Sequence, residues 1–452
     1  MVKICIIGAG SVVWSSILIK DLCLTKSLWG STISLMDVDR ERLEVIFGLA
    51  KRYAAEVKAD LRLEKTIDRK KALEDSDFVF NTALAGGHSN FELQRKVAEK
   101  HGYYRGIDSV DHNMVSDYPT IGGYNQLKLF MDIARDMEDI CPEAWLILTA
   151  NPVFEGSNLL TRQTKLKVIG LCHGHFEVNN VAETIGLGLK DLKTESIGFN
   201  HCIWMTSFLH KGEDAYPILE EWIKTKAELF WRNWNPKYFD VQMSPAAVDL
   251  YKRFELFPIG DTPRSGGWRY HMDLETKKRW YGPLGGFDSE IGWAHYQEDL
   301  RKQMSKMRKA YKNQSIRIKR VLPPFKSGEQ HIPLVDAIVS NKKRTFQVNI
   351  PNKGVIHGIP DDVVVEVPAI LSGNGVQRTH VEGLPKHLML HIMIPRLLKM
   401  EWAVEAFLEG GKDLLLEWLL NDPRTESLEQ AESVIKDILA LPFNKEMAAH
   451  YK

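Results

Sequence analysis

Short runs of apolar residues recur through the first half of the chain, separated by longer stretches in which polar positions are frequent. The runs cover residues 3–7, 32–36, 78–80, 145–148 and 168–171. Runs of this length with few polar positions are typical of parallel strands buried on both faces, and the longer stretches between them supply crossover helices. The pattern predicts an α/β fold with a doubly wound parallel sheet.

The second half of the chain has a different pattern. Residues 294–319 form a charged stretch with helical character, while residues 346–350 and 363–367 are apolar runs bounded by Asn, Gly and Pro. Two such runs joined by a segment rich in turn residues predict an antiparallel pair of strands. The tail contains apolar positions at helical spacing at 413–420 and 428–441, so we expect an α+β region after the parallel sheet.

The length of the chain favours two lobes. At 452 residues it is too long for one ordinary core, so we predict a nucleotide-binding domain at 1–195 and an α+β domain for substrate, metal and oligomer contacts at 196–452. Lysine plus arginine and aspartate plus glutamate both number 59. This balance gives no support to nucleic-acid or membrane-surface binding. We expect a small-molecule substrate and a homodimer or homotetramer.

The cysteines indicate a reducing compartment. They are an odd number without a C-x-x-C pair, which does not suit a disulfide framework: Cys5, Cys23, Cys141, Cys172 and Cys202. The first residues lack the length and cleavage site of a signal peptide, and no apolar run reaches about 18 residues, the length that a membrane span needs. We therefore expect a cytoplasmic protein.

A glycine-rich turn follows the first apolar run directly. Gly8 and Gly10 permit a tight turn and the close approach of a pyrophosphate, which would rest on the start of the helix that begins near Ser11. Val13 stands where the third glycine of G-x-G-x-x-G is expected, which lowers the specificity of the motif. Because strands follow at the right spacing, we nevertheless predict a Rossmann-type dinucleotide site, with a glycine turn in a nucleotide-free fold as the alternative.

Two further strand ends support that site. Asp37 ends the second run and can accept the ribose hydroxyls of adenosine, which favours NAD over NADP. Arg40 nearby keeps NADP open. Asn151 precedes Pro152 at the end of the fourth run, where its amide can face the nicotinamide ribose or a substrate hydroxyl.

A thiol and imidazoles follow the run at 168–171. Cys172 is predicted at a strand end just before a helix, where the helix dipole favours a thiolate, a good metal ligand. His201 follows a second glycine-containing segment and could reach the same sheet edge. One Cys and one His would leave a divalent ion open to substrate, as a catalytic site requires. The alternative is a buried cysteine with histidines, His173 included, that cap backbone groups.

Two loops carry acidic candidates. Residues 101–114 lack regular periodicity and contain Asp108 and Asp111; long loops inside compact domains are commonly functional. The loop at 258–271 contains Asp261 and Arg264, and a carboxylate beside an arginine stays ionised and can serve as a base. Helix caps in the first loop and paired surface charges in the second are the alternatives.

Taken in order, the motifs resemble glycoside hydrolase family 4, the NAD- and metal-dependent glycosidases, over nearly the whole chain. The ordered set of motifs is far more specific than any single motif in it. The motifs are Gly8-Ala-Gly10-Ser11, Thr149-Ala-Asn-Pro152, Cys172-His173-Gly174, Gly198-Phe-Asn-His201 and Pro258-Ile-Gly-Asp261-Thr262. Cys-His-Gly and the segment 101–108 are similar to the α-glucuronidase group. The resemblance implies a lactate/malate dehydrogenase-like architecture for the fold.

The resemblance also implies a mechanism that differs from the paired-carboxylate route of most glycosidases. NAD⁺ takes hydride from sugar C3, a base removes the acidified C2 proton, the aglycone leaves C1, water adds and the hydride returns. Mn²⁺, or another divalent ion such as Co²⁺, held by Cys172 and His201, stabilises the enediolate oxygens. Asp261 is the implied base and Asp108 the implied acid, although their roles could be exchanged.

The remaining site predictions concern the sugar. Asn151 and Asn200 are expected to hold hydroxyls, with His173 near the ion, while a uronate carboxylate needs a cation, first Arg264 and second Arg105. An α-galacturonidase or α-glucosidase of the same family is the alternative to an α-glucuronidase. A 2-hydroxy acid dehydrogenase, which would produce net NADH, and a non-enzymatic nucleotide sensor are the rivals from other classes.

Overall fold

The computed structural model describes residues 1–107, 123–265 and 268–452. Asp108 and Asp111 lie outside the described residues. The strands are β1 (Lys3–Ile7), β2 (Thr32–Met36), β3 (Arg62–Thr66), β4 (Phe78–Asn81), β5 (Trp145–Leu148), β6 (Lys167–Gly170), β7 (Leu192–Phe199), β8 (Cys202–His210), β9 (Glu213–Asp214), β10 (Phe257–Ile259), β11 (Arg344–Pro351), β12 (Val364–Ser372) and β13 (Gly375–Arg378).

The α-helices pack on the faces and at the ends of these strands. They are α1 (Trp14–Leu24), α2 (Arg40–Val57), α3 (Arg69–Leu73), α4 (Gly87–Lys100), α5 (Tyr124–Ile140), α6 (Val153–Gln163), α7 (Glu177–Thr184), α8 (Tyr216–Thr225), α9 (Ala227–Arg232), α10 (Pro245–Phe254), α11 (Leu274–Tyr281), α12 (Glu290–Lys312), α13 (His331–Val339), α14 (Lys386–Leu388), α15 (Ile394–Glu409), α16 (Lys412–Leu420), α17 (Leu428–Leu439) and α18 (Lys445–His450).

The first six strands form a parallel sheet in the order β3-β2-β1-β4-β5-β6. Five of them coincide with the apolar runs, so the predicted Rossmann-type sheet is confirmed. The sequence pattern does not show β3, because this edge strand has the sequence Arg-Leu-Glu-Lys-Thr and no buried residue. A strand paired on one side only does not need the apolar run of a central strand.

The sheet continues beyond β6 with antiparallel strands in the order β11-β12-β7-β8-β10. The predicted antiparallel pair is β11 and β12, where Val348 lies opposite Val367. A single register pair, Asn349 with Gly170, joins β11 to the parallel strand β6, and another, Glu366 with Gly198, joins β12 to β7. The α+β region is therefore continuous with the parallel sheet, and its junction brings the ends of β6 and β7 together. The division between 195 and 196 stays a prediction.

Two apolar clusters support these layers. The larger one covers both faces of the parallel strands and reaches the C-terminal helices, and the smaller one lies between β8 and helices α7, α8 and α10. Trp222 belongs to the smaller cluster and is buried. Among the described helices, none is both long and apolar enough to pass through a bilayer.

Candidate active site

The carboxyl ends of the parallel strands open into one large cavity of about 1370 Å³. Ligands of open α/β sheets bind at this edge, because the loops that leave the strands converge there. Most of the predicted site residues line it: Gly8, Gly10, Ser11, Asp37, Asn151, Cys172, His173, His201, Asp261 and Arg264.

The glycine turn forms a cradle that a side chain would fill. Gly8 has φ +88°, and a Cβ on it would lie 2.6 Å from the backbone nitrogen of Ala83. A Cβ on Gly10 would lie 2.8 Å from Oδ2 of Asp37, which accepts a hydrogen bond from the Gly10 amide at 2.7 Å. The backbone of Gly8 and Gly10 therefore borders the cavity directly, and it leaves the close approach that a pyrophosphate requires.

The helix after this turn begins at Trp14, and Oγ of Ser11 accepts a hydrogen bond from the Trp14 amide at 3.3 Å. The N-terminus of α1, the positive end of its helix dipole, thus faces the cradle. Asn151 follows β5 and lines the same cavity. These placements fit the predicted dinucleotide site.

Three potential metal ligands converge beside the cradle. Cys172 lies just after β6, His201 in the turn between β7 and β8, and Asp261 just after β10. Each offers one donor atom, and the three atoms all lie within 4.8 Å of one another. Cys172 and His201 were predicted to meet; the structure adds Asp261, whose Oδ2 lies 3.4 Å from Nε2 of His201. Thiolate, imidazole and carboxylate together suit a divalent transition-metal ion.

The surroundings of Cys172 act against the thiolate that its place before a helix start predicted. Burial raises the pKa of the Cys172 thiol well above its ordinary value, and the charges of Glu366 and Asp261 raise it further. Hydrogen bonds from Gly174 and Asn200 lower it, but they do not outweigh burial. A cation at the site is what would deprotonate the sulfur.

The other two donors are in states that suit a metal. Burial lowers the pKa of His201 to about 4, so its imidazole is neutral and keeps a lone pair at physiological pH. Burial would raise the pKa of Asp261, but the charge of Arg264 and its hydrogen bond to the carboxylate hold this pKa well below its usual range. Asp261 is therefore a carboxylate whenever the protein is folded near neutral pH.

The two arginines predicted for a uronate contact acids of the chain itself. Arg264 bonds to Asp288 through Nε and Nη2 at 2.8 and 2.7 Å, and through Nη1 to Oδ1 of Asp261 at 2.5 Å. Arg105 is buried behind it and donates from Nε to the backbone oxygen of Asp288 at 3.1 Å. Arg264 thus orients Asp261, and Arg105 is not among the residues that line the cavity.

Asn200 and His173 occupy different environments. Asn200 is buried and donates from Nδ2 to Oε2 of Glu366 at 3.0 Å, so its amide bonds to the protein. His173 stays largely exposed in the cavity, with Nδ1 3.7 Å from Oε1 of Glu329 and its ring 6.3 Å from the ring of Trp14. His173 is the better placed of the two to contact a ligand.

Family models match both parts of the chain. Residues 3–187 match the model described as family 4 glycosyl hydrolase, and residues 196–425 match that of the family 4 glycosyl hydrolase C-terminal domain. The chain belongs to glycoside hydrolase family 4. This confirms the family that the ordered motifs indicated.

Individual relatives in family 4 are distant but cover the chain. An α-galactosidase of Bacillus subtilis is 25% identical over 98% of this chain and 96% of its own length. An α-galacturonidase of Thermoanaerobacter italicus is 26% identical over 96% of this chain and 94% of its own length. A solved 6-phospho-α-glucosidase from gut microorganisms, in complex with NAD and Mn²⁺, has a TM-score of 0.79 at 20% identity and covers 99% of this chain and 98% of that one.

The predicted dehydrogenase-like architecture is also confirmed. The lactate dehydrogenase of Eimeria maxima has a TM-score of 0.53 at 13% identity, covering 90% of this chain and 95% of that one. At such identity the likeness concerns the fold alone, and the family models separate this family 4 chain from the dehydrogenases in function.

Sequence reasoning missed several residues of this family 4 site. Glu366 is 2% exposed and accepts a hydrogen bond from Asn200, and burial raises its pKa to about 7. A lone acid in the run Val-Val-Val-Glu-Val was the signal that could have found it, since buried acids are rare without a partner. Aromatic side chains that come from separate segments give no such signal, yet they form one wall of the cavity: Tyr238, Phe239, Phe287 and Tyr296.

Proposed function

We propose that this family 4 enzyme hydrolyses α-linked uronides by oxidation at C3, elimination, water addition and re-reduction. The observation that carries the proposal is the convergence of Cys172, His201 and Asp261 within 4.8 Å in the same cavity as the glycine cradle. A dinucleotide site beside a metal site with an ionised carboxylate suits a reaction that removes a hydride and a proton from neighbouring carbons.

NAD and a divalent ion such as Mn²⁺ or Co²⁺ fit the residues present. Gly8 and Gly10 would hold the pyrophosphate, and Asp37 would hold the adenosine ribose. Cys172 and His201 would hold the ion. When bound, the dinucleotide supplies a hydride acceptor and the ion a Lewis acid that stabilises negative charge on the sugar oxygens.

The chain's own residues handle the protons. Asp261 is our proposed base, and Arg264 keeps its carboxylate ionised and directed into the cavity. Because its pKa is low, Asp261 is a weak base, so the C2 proton must first be acidified by the neighbouring ketone. Asp108 as the acid and Asn151 as a hydroxyl contact remain predictions, and Asp108 is outside the described residues.

The uronide is proposed from the Cys-His-Gly motif, and an α-galacturonidase among the relatives supports an acidic sugar. The α-glucuronide is our first choice and the α-galacturonide the alternative. A neutral α-glycoside is a second candidate, because Arg264 is already bonded to Asp288 and Asp261 and because the relatives include an α-galactosidase.

A substrate panel tests this proposal. Aryl α-glucuronide, α-galacturonide, α-galactoside and α-glucoside should be assayed with NAD⁺, Mn²⁺ and a thiol reductant. A charge-assisted contact is worth roughly 1.5 to 3 kcal/mol, so we expect a uronide to exceed its neutral counterpart in kcat/KM by about 10 to 150-fold. Equal or higher activity on the neutral sugars would replace the uronide with the second candidate.

A further inference from the structure

The cavity that contains the glycine cradle is also lined by a segment far along the chain, residues 442–451. Phe443 and Glu446 of this segment line the cavity. They belong to the turn Pro442–Asn444 and to α18. Phe443 is only partly buried, so an aromatic ring borders the cavity at a point to which the proposed reaction gives no role.

Hydrogen bonds connect the segment 442–451 to the cradle through the start of α5. Nδ2 of Asn125 donates to Oδ1 of Asn444 at 2.8 Å. The next residue, Gln126, accepts a hydrogen bond at Oε1 from the Ala85 amide at 2.8 Å and donates from Nε2 to the Ala83 oxygen at 3.0 Å. Because the backbone of Ala83 borders the cradle, the segment and the cradle belong to one connected wall of the cavity.

The same helix lies beside the strand end that carries Asp37. Arg69, at the start of α3, donates from Nε to Oδ2 of Asp136 on α5 at 2.7 Å. Arg69 follows β3, which pairs with β2, and both Arg69 and Asp37 line the cavity. Because Asp37 is the proposed partner of the adenosine ribose, the adenine base would lie at this end of the cavity.

Apolar side chains border this end. They come from the loops after β2 and β4, from α5 and from the segment 442–451, and they are Val38, Leu84, Leu129 and Phe443. None of the four is buried by the described residues. Phe443 is the aromatic member of the set, and an aromatic ring is a favourable partner for the flat face of a base.

Contacts with α5 and α17 hold the segment 442–451 in place. The ring of Tyr124 lies 4.9 Å from that of His450 and 5.7 Å from that of Tyr451. Asn444 is fully buried, and its Nδ2 donates to the backbone oxygen of Ile438 at 2.9 Å. The protein therefore sets the position of the neighbouring phenyl ring before a ligand binds, which lowers the entropic cost of contacting that ligand.

We propose that Phe443 contacts the adenine ring of NAD, so that the segment 442–451 forms one wall of the adenosine site. The inference rests on the proposed function, because it requires the dinucleotide in the cradle. It concerns the affinity for the cofactor alone, since the proposed metal ligands Cys172, His201 and Asp261 follow other strand ends.

The test is Phe443→Ala, with NAD⁺ and ADP-ribose as probes in calorimetric titrations of the full chain. Loss of an aromatic partner of a base costs about 5 to 150-fold in affinity, so the Kd for NAD⁺ should rise within that range. ADP-ribose lacks the nicotinamide, and an equal rise in its Kd places the contact at the adenosine end. The affinity for Co²⁺ should not change.

Two further variants separate this contact from an effect on the fold. Phe325→Ala removes a phenyl ring that is 65% exposed and is not among the residues that line the cavity, so it should leave both Kd values unchanged. Phe443→Leu keeps an apolar side chain in the turn but removes the aromatic face. It decides the case if Phe443→Ala also loses Co²⁺ binding, and should raise both Kd values by about 2 to 12-fold.

Unchanged affinity for NAD⁺ in the deciding variant would overturn the inference. A loss of affinity for NAD⁺ without a matching loss for ADP-ribose would overturn it as well, because Phe443 would then act at the nicotinamide end. A wild-type protein that binds neither probe would overturn the dinucleotide site and the proposed function with it. That failure is distinguishable, because it appears before any variant is made.

Discussion

Nε2 of His201 lies 3.4 Å from Oδ2 of Asp261, although the two residues come from different strand ends. His201 reaches this position from the turn between β7 and β8, where its φ is +59°, an uncommon backbone conformation for a residue other than glycine. Asp261 follows the antiparallel edge strand β10. The contact joins the proposed base to a proposed metal ligand. Substitutions of single residues are therefore needed to tell which side chain binds the metal and which removes the proton.

Cys172→Ser should weaken metal binding. A serine hydroxyl stays protonated at neutral pH and is a far poorer ligand than a thiolate, so we expect the Kd for Co²⁺ to rise by at least about tenfold. Calorimetric titration with Co²⁺ measures this, and Cys141→Ser, at the end of α5, is the matched control. An unchanged affinity in Cys172→Ser would remove Cys172 from the ligand set.

Asp261→Asn should slow proton transfer strongly while the metal still binds. A positioned base contributes about 10²- to 10⁴-fold, so kcat should fall within that range, and exchange of the C2 hydrogen with D₂O should fall in parallel. Co²⁺ affinity should change less than in Cys172→Ser. If Co²⁺ affinity falls as far as in the cysteine variant, Asp261 is a ligand and another group is the base.

Arg264→Gln should reduce turnover on acidic and neutral substrates alike. The guanidinium contacts Asp261 at 2.5 Å and Asp288 at 2.7 Å, so its loss frees the carboxylate of Asp261 and raises the pKa of that group. The kcat ratio between an α-uronide and the matching neutral glycoside measures the effect. A loss confined to the uronide would instead show that Arg264 receives the substrate carboxylate, as the sequence predicted.

The sequence predicted the parallel sheet because β1, β2, β4, β5 and β6 are buried and therefore apolar, whereas the exposed edge strand β3 left no such pattern. It also placed Cys172 and His201 together, since both follow strand ends of one sheet. The partners of Arg264 and Asn200 could not be predicted, because Asp288 and Glu366 come from distant parts of the chain. Which side chains pair in a buried polar cluster depends on tertiary packing.

His331→Gln should make the protein less sensitive to acid. Burial lowers the pKa of His331 to about 3, from an ordinary value of 6.5. Between these values the unfolded chain takes up a proton that the folded chain does not, so the folded state loses stability as the pH falls through this window, by about 2 kcal/mol for this group at pH 5.

Urea unfolding at pH 7.5 and pH 5 measures the difference. His331 contacts the Thr149 hydroxyl at 3.2 Å, and glutamine can keep a hydrogen bond there without taking up a proton. The variant should therefore lose about 2 kcal/mol less than the wild type between the two pH values. The same loss in both proteins would show that His331 is not the buried neutral histidine described above.

The central claim is that hydrolysis proceeds through oxidation at C3 and loss of the C2 proton. The most direct measurement is turnover of an aryl α-glucuronide or α-galacturonide in D₂O with NAD⁺ and Mn²⁺, followed by NMR of the released sugar and by absorbance of NADH. The account predicts deuterium at C2 of the product and no accumulation of NADH. A product that retains hydrogen at C2, or NADH that grows in proportion to product, would contradict it.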